Sequence, residues 1–299
     1  MGLVSGPANH SWASFSTNSD SQEIEFAKLK RLDVAYGTTY HEDGIAVHHR
    51  DGHPWKLHFP SLTRLDVRSS QDICPLLEYA VLPPGMESIA IKLKPAAFQR
   101  LASLALPAAK RISLHITWGS THGEPGGFPA VNRVLESARG SGTLELFVFE
   151  KMLPAEAECI TCTALTHLFV GSPVGADTVL AFIRRLPNLV ELRLLDLDSS
   201  DVQADISVPS ADADAVVEPL HMSLYGLYIW YNARSQLPDT VVAVVKYMLL
   251  GIPTLAKLSA TQAPRRPVDE FVEAYAPRYP RLRSVELAFA DGAGSANIM

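Results

Sequence analysis

Apolar residues along this chain fall into a short phrase, apolar-x-x-apolar-x-apolar, that returns about ten times. Its clearest copies are residues 26–34 (FAKLKRLDV) and 59–67 (FPSLTRLDV), which match at six of nine positions and lie 33 residues apart. Further copies start at Met86, Ala109, Leu165, Leu189, Leu224, Leu255 and Leu282, and a weaker one starts at Ser141 with Leu144 and Leu146. Within each copy the last apolar places alternate with other residues, which is the period-2 pattern of a strand with one buried face.

After the strands the spacing becomes helical. Phe98, Leu101, Ala102 and Ala105 share one helix face, as do Phe128, Val131, Leu135 and Ala138, and again Val179, Phe182, Ile183 and Leu186. Three further helical stretches run from Ile73 to Ala80, Val241 to Leu249 and Val268 to Tyr275. Pro95, Gly140, Gly175, Pro187, Pro238, Gly251, Pro267 and Pro280 stand where these helices should start or stop.

One strand and one helical return per unit predict parallel strands joined by crossovers. Units that cannot bury their apolar faces alone do so by stacking. The expected fold is therefore α/β. It is a solenoid of about ten irregular repeats, with a curved parallel sheet on the concave side and helices on the convex side.

A single solenoid is expected over residues 24–290, between a polar, disordered tail (1–23) and a short tail (291–299). Two insertions stand out. Residues 44–59 read as a hairpin around Asp51-Gly52, a pair suited to a type I′ turn. Residues 195–223 read as an acidic loop, because no Lys or Arg occurs between Arg193 and Arg234.

Composition narrows the function. The formal net charge is −6 over 299 residues and the pI is about 5.9, so a broad nucleic-acid surface is not expected. A hydrophobic content of 47% supplies a core. The longest apolar stretch, Val241 to Leu250, is too short to span a bilayer and contains Lys246, so no membrane span is expected. Three cysteines (Cys74, Cys159, Cys162) without a secretory signal point to a reducing, cytoplasmic or nuclear setting.

The leucine phrase with helical returns of varied length resembles the leucine-rich-repeat superfamily, in particular its ribonuclease-inhibitor-like branch. The segments LPNLVELRL (186–194) and PRLRSVEL (280–287) look most like the repeat region of fungal F-box/leucine-rich-repeat proteins. The likeness covers roughly residues 24–290. The superfamily often places Asn or Cys two residues after the last strand leucine, to hold the turn. Here only Asn232 stands at that place, so the other turns must be held another way. No F-box is recognisable in the polar stretch before the first repeat. The linker subunit of a ubiquitin ligase is thus an expected partner only if an F-box exists outside this chain.

In such a solenoid the residues between the buried leucines point into the concave wall. Arg64, Asp66, Arg68, Arg111, His115, Phe147, His167, Phe169, Arg193, Tyr228 and Trp230 fall at those places. Trp, Tyr and Arg often carry binding energy, so these eleven are the candidate protein- or peptide-binding residues. The competing reading is that loops cover the wall and its aromatics belong to the core.

Chemical motifs are weak. Cys159-Ile-Thr-Cys162 is a lone CxxC and reads as structural thiols. His48, His49, His53 and His58 offer two ligands on one hairpin face at most. No nucleophile elbow, phosphate loop or dinucleotide fingerprint occurs. The expectation is a non-catalytic interaction module without cofactor or metal, and the resemblance implies a substrate-recognition role related to that of F-box/leucine-rich-repeat ubiquitin-ligase receptors. The alternative is a structural scaffold that assembles through uncapped repeat ends.

Overall fold

The computed structural model describes residues 16–17, 23–36, 56–69, 77, 79–94, 97–101, 106–116, 127–149, 152, 154–198, 221–230, 252, 254–263, 284–289 and 295–298. Among the described residues the fold is α/β, with mostly parallel strands and few helices. The chain divides into two compact units, residues 1–144 and 145–299.

The first unit contains β1 (Ser16–Thr17), β2 (Glu23–Glu25), β3 (Arg31–Tyr36), β4 (Lys56–His58), β5 (Arg64–Ser69), β6 (Ala80–Val81), β7 (Met86–Leu93), α1 (Ala97–Leu101), β8 (Ala109–Ile116) and α2 (Gly127–Ser137). Strands β3, β5, β7 and β8 lie side by side in parallel. Their register puts Leu32, Leu65, Ile89 and Ile112 in one lateral row, and Val34, Val67, Ile91 and Leu114 in the next. On β5, β7 and β8 these side chains are almost completely buried. Each contributes about 1.5–3 kcal/mol by leaving water.

Strands β1, β2, β4 and β6 form a second, small sheet in that order. Both edges of β4 are taken, by β2 and β6, each in parallel. Lys56–His58, the end of the expected 44–59 hairpin, thus belongs to this sheet, and the rest of that segment lies outside the described residues. Ala80, expected to close a helix, is in β6, where the Phe59 N–H bonds the Val81 carbonyl. Ser16–Thr17, expected within a disordered tail, pairs antiparallel with β2. Helix α2 follows its sequence period. Phe128, Val131, Val134, Leu135 and Ala138 are buried along one face, and Pro129 sits in the first turn, where its missing N–H is harmless.

The second unit contains β9 (Thr143–Val148) from Glu145 onward, α3 (Pro154–Glu158), β10 (His167–Gly175), α4 (Ala176–Arg185), β11 (Glu191–Asp198), β12 (Gly226–Trp230), β13 (Lys257–Ala263), β14 (Ser284–Phe289) and β15 (Ser295–Ile298). Strands β9 to β14 are parallel neighbours in chain order. Strand β15, within the expected C-terminal tail, lies antiparallel along β14. Leu146, Leu168, Leu192, Leu227, Leu258 and Val285 form one row. The phrase as read from sequence put Leu144 level with Leu168, whereas the register puts Leu146 there. A shift of two residues leaves every side chain on the same face. Helix α4 buries Val179, Phe182 and Ile183 and ends with Arg184 and Arg185, which suit the negative end of the helix dipole. The short helix α3 carried no clear sequence signal. The helical stretches at 241–249 and 268–275 and the acidic segment from 199 to 220 lie outside the described residues.

Several strands are entered through the same turn. The N–H groups of Leu29, Leu62, Leu165, Leu189 and Leu255 bond the carbonyls of Phe26, Phe59, Cys162, Leu186 and Ile252, three residues earlier, at 3.0–3.2 Å. Two consecutive N–H groups at a strand start then share the carbonyl just before the preceding strand. Thr63 and Arg64 share Lys30, Val190 and Glu191 share Thr166, and Ala256 and Lys257 share Tyr225. Side chains add staples to earlier units: Thr63 Oγ1 to the Lys30 carbonyl at 2.9 Å, Asn188 Nδ2 to Thr163 at 2.8 Å and Thr254 Oγ1 to Leu224 at 2.8 Å.

At Leu224 a side chain replaces the turn carbonyl. His221 Nδ1 accepts from the N–H groups of Leu224 (2.9 Å) and Ser223 (3.1 Å), and its Nε2–H donates to the Leu186 carbonyl at 2.7 Å. The two acceptor contacts require the proton to sit on Nε2. His221 is 4% exposed and occupies the place held by buried Phe59, Cys162, Leu186 and Ile252 in other turns.

Candidate functional site

The candidate residues fall on strand faces of both units. In the second unit, parallel register aligns them in rows. Glu145, His167, Glu191, Gly226 and Lys257 occupy one row, and Phe147, Phe169, Arg193, Tyr228 and Ser259 the next. These rows lie opposite the buried leucines, because successive strand residues alternate faces.

Phe147, Phe169 and Phe149, which follows β9, are half-buried and form one cluster. Phe149 lies 5.2 Å from Phe169 and Phe147 lies 5.9 Å from Phe169, between ring centroids. Beside them the Arg193 guanidinium stands 5.1 Å over the Tyr228 ring, while its Nε and Nη2 both reach Glu191 Oε1. Glu191 also faces His167 Nε2 at 3.7 Å, and His167 Nδ1 is 2.9 Å from Thr166 Oγ1. Arg193 is thus held between a carboxylate and a ring. That geometry combines charge with a large apolar surface.

Two glycines make room for these rings. A Cβ on Gly226 would stand 3.0 Å from Tyr228 Cε2 and 3.5 Å from Glu191 Cγ. A Cβ on Gly171 would meet Phe169 Cε1 at 3.1 Å and Phe149 Cδ1 at 3.3 Å. The rings therefore lie against the sheet over bare backbone. Gly226→Ala should cost about 1–2 kcal/mol by forcing the tyrosine aside. In a Tyr228→Ala background the same change should cost little, a coupling that denaturant titration of the four variants measures. Equal costs in both backgrounds would contradict the packing described.

Leu195 is a member of this face that the sequence reading missed. It is 43% exposed and follows Arg193 by two residues on β11. Its signal was the two-residue step itself, hidden because the apolar run Leu194-Leu195 blurs the alternation. Trp230 ends β12 and pairs with Thr261.

In the first unit the face is charged. Arg31, Arg64, Ser88 and Arg111 form one row, Asp33, Asp66, Ala90 and Ser113 the second, and Arg68, Lys92 and His115 the third. Arg68 grips Asp66 through Nε (3.1 Å) and Nη2 (2.7 Å). Arg31 Nε meets Asp33 at 2.8 Å, and Arg64 Nε meets Glu87 at 3.0 Å. The hydrogen bonds and charge of Asp66 raise the Arg68 pKa above its ordinary value. A raised arginine stays charged at every pH near neutrality. Since Arg68 is exposed, screening by solvent keeps its ion pair weak.

The other motifs settle simply. Cys162 is buried and supplies a turn carbonyl, and the Cys159 thiol donates to the Ala155 carbonyl at 3.4 Å. His58 Nε2 stands 3.4 Å from Glu23, in an orientation that makes no hydrogen bond. His48, His49 and His53 lie outside the described residues. Among the described residues no three potential metal ligands gather, and no helix is long and apolar enough to cross a membrane. Comparison with protein-family models finds no match, and comparison with curated proteins finds none either.

Proposed function

We propose that the chain is a leucine-rich-repeat solenoid of about ten irregular units, and that it acts as a non-catalytic protein-binding module through the wall formed by its strand faces. One observation carries the reading. Phe147, Phe169, Arg193 and Tyr228 stand in a single lateral row opposite the buried leucines, half-exposed or exposed. Aromatics and an arginine over a ring are the groups that most often anchor a partner. A sheet also holds them without the entropy cost of ordering a loop. A relationship to the substrate receptors of F-box ligases fits the leucine phrase, with a linker subunit as partner only through an F-box outside this chain. Self-assembly through repeat ends draws less support, because β15 covers the edge of β14.

The test is affinity capture with the full chain and with a Phe169→Ala/Tyr228→Ala variant. The expected result is a protein recovered by the wild type and reduced at least tenfold, roughly 1.4 kcal/mol, in the variant, while both unfold in one cooperative transition. Equal recovery by a well-folded variant would contradict the proposal.

A further inference from the structure

Where the strands enter the sheet, one position recurs whose carbonyl accepts two N–H groups from the next unit. Lys30, Thr63 and Thr166 hold it with polar side chains, whereas Val190 and Tyr225 hold it with large apolar ones that are exposed. The turn into β12 adds Met222, 64% exposed, at the place that Ala27, Pro60, Thr163 and Pro187 occupy in turns of the same form. These three residues are neighbours. The Tyr225 N–H bonds the Val190 carbonyl at 2.8 Å, and His221 fixes the backbone between Met222 and Tyr225 by accepting from Ser223 and Leu224. Three of the five exposed large apolar side chains among the described residues thus gather on one rim. Single exposed apolar residues are ordinary, but a group of them marks a contact surface. Beside them Lys257, exposed on β13, holds its Nζ 5.6 Å over the Tyr225 ring.

We propose that this rim docks the apolar face of an amphipathic helix of the partner protein, with an acidic residue of that helix against Lys257. The inference rests on the reading of the chain as a protein-binding module. It adds a contact beyond the wall and the form of the segment that makes it. The backbone decides that form. The carbonyls of Thr166, Val190 and Tyr225 each already accept two N–H groups, and the N–H groups of Val190, Glu191, Tyr225 and Gly226 are spent in these bonds. Strands β11 and β12 are also paired on both edges. An extended segment laid here finds no main-chain partner, and its own N–H and C=O groups lie unpaired against apolar side chains. A helix satisfies its backbone internally and presents apolar side chains at i, i+3, i+4 and i+7 over about 10 Å, the scale of this patch. Charge and size argue against a second copy as the occupant. A twofold pairing over so small a patch sets Lys257 near its own counterpart, and three side chains bury far less than the roughly 800 Å² per partner of a stable dimer.

The experiment selects binders of the immobilised full chain from displayed peptides of about three helical turns. One half of the library varies apolar positions at helical spacing on an Ala/Glu/Lys scaffold, and the other half varies them in alternation. Selected peptides are then titrated by fluorescence anisotropy. Helically spaced peptides should be enriched, and a proline at their centre should weaken them at least tenfold. Met222→Ser/Tyr225→Ser should weaken them at least tenfold while the denaturant midpoint of the chain stays unchanged. Lys257→Glu should weaken them about fivefold, and exchanging the peptide's acidic residue for lysine should restore binding to that variant. Enrichment of alternating peptides that depend on Met222 and Tyr225, or helical peptides that ignore both chain variants, overturns the proposal. So does a dimer in light scattering that Met222→Ser/Tyr225→Ser dissolves, which makes a second copy the occupant. Failure to select helical peptides, alongside partner capture that depends on Phe169 and Tyr228, overturns this inference and leaves the binding-module reading standing. Rim-dependent helix binding with partner capture indifferent to Phe169 and Tyr228 removes the wall and keeps the rim.

Discussion

Replacing His221 by alanine should lower the free energy of unfolding by about 3 kcal/mol, among the largest effects of any polar substitution among the described residues. Three hydrogen bonds meet on one imidazole: two backbone N–H groups on Nδ1 and the Leu186 carbonyl on Nε2. Alanine strands these groups where water does not replace the ring, and each buried orphan costs about 1–3 kcal/mol. The void adds a packing loss. His221→Gln or His221→Asn can restore part of the donor–acceptor pattern and should recover part of the loss. Denaturant-induced unfolding measures all three. A loss below about 0.5 kcal/mol for the alanine variant, the range of ordinary surface changes, would contradict the turn described here.

Leu192→Ala should cost about 3–4 kcal/mol, within the range for fully buried leucines. Leu192 is 0% exposed and stands in the central row between Leu168 and Leu227. Its strand neighbour Leu195, on the opposite face, provides the control. Leu195→Ala should change stability by less than about 0.5 kcal/mol and should instead weaken partner capture. The pair separates core from wall on one strand. Similar stability losses at both positions would mean that the wall is buried under other parts of the chain, which is the competing reading of its aromatics.

The strand rows were legible because the phrase recurs with an apolar residue at each of its places. A register read from Leu32 and Leu65 extends to Leu168, Leu192 and Leu227 without reference to neighbours. At β9 it slipped by two, because Leu144, Leu146 and Val148 all fit the alternation and nothing in TLELFV marks where the phrase begins. The small sheet of β1, β2, β4 and β6 was not legible, since strands of two or three residues are shorter than a periodicity can resolve. His221 was hidden for a different reason. Its place in the turn is apolar elsewhere, and only alignment three residues before Leu224 reveals that a polar ring has taken over a backbone carbonyl's role. Alternation placed Phe147, Phe169, Arg193 and Tyr228 on the face opposite the leucines but missed Leu195. The packing of these residues was not legible, because it depends on Gly171 and Gly226, whose adjacency to aromatics (Phe169-x-Gly171, Gly226-x-Tyr228) acquires meaning only when the rings are seen lying over them.

The leucine phrase builds parallel strands with leucines on one face and the proposed partner-binding residues on the other. Single cysteines placed in turn at Leu168, Phe169, Val170, Glu191, Leu192, Arg193, Leu194 and Leu195 test it by their rate of labelling with a thiol reagent. The rate should rise and fall with a two-residue period on both strands. It should be fast at 169, 191, 193 and 195, and slower by at least about tenfold at 168, 170, 192 and 194, where labelling requires local opening. Labelling that follows a helical period, or that is uniform along the two segments, would contradict the account.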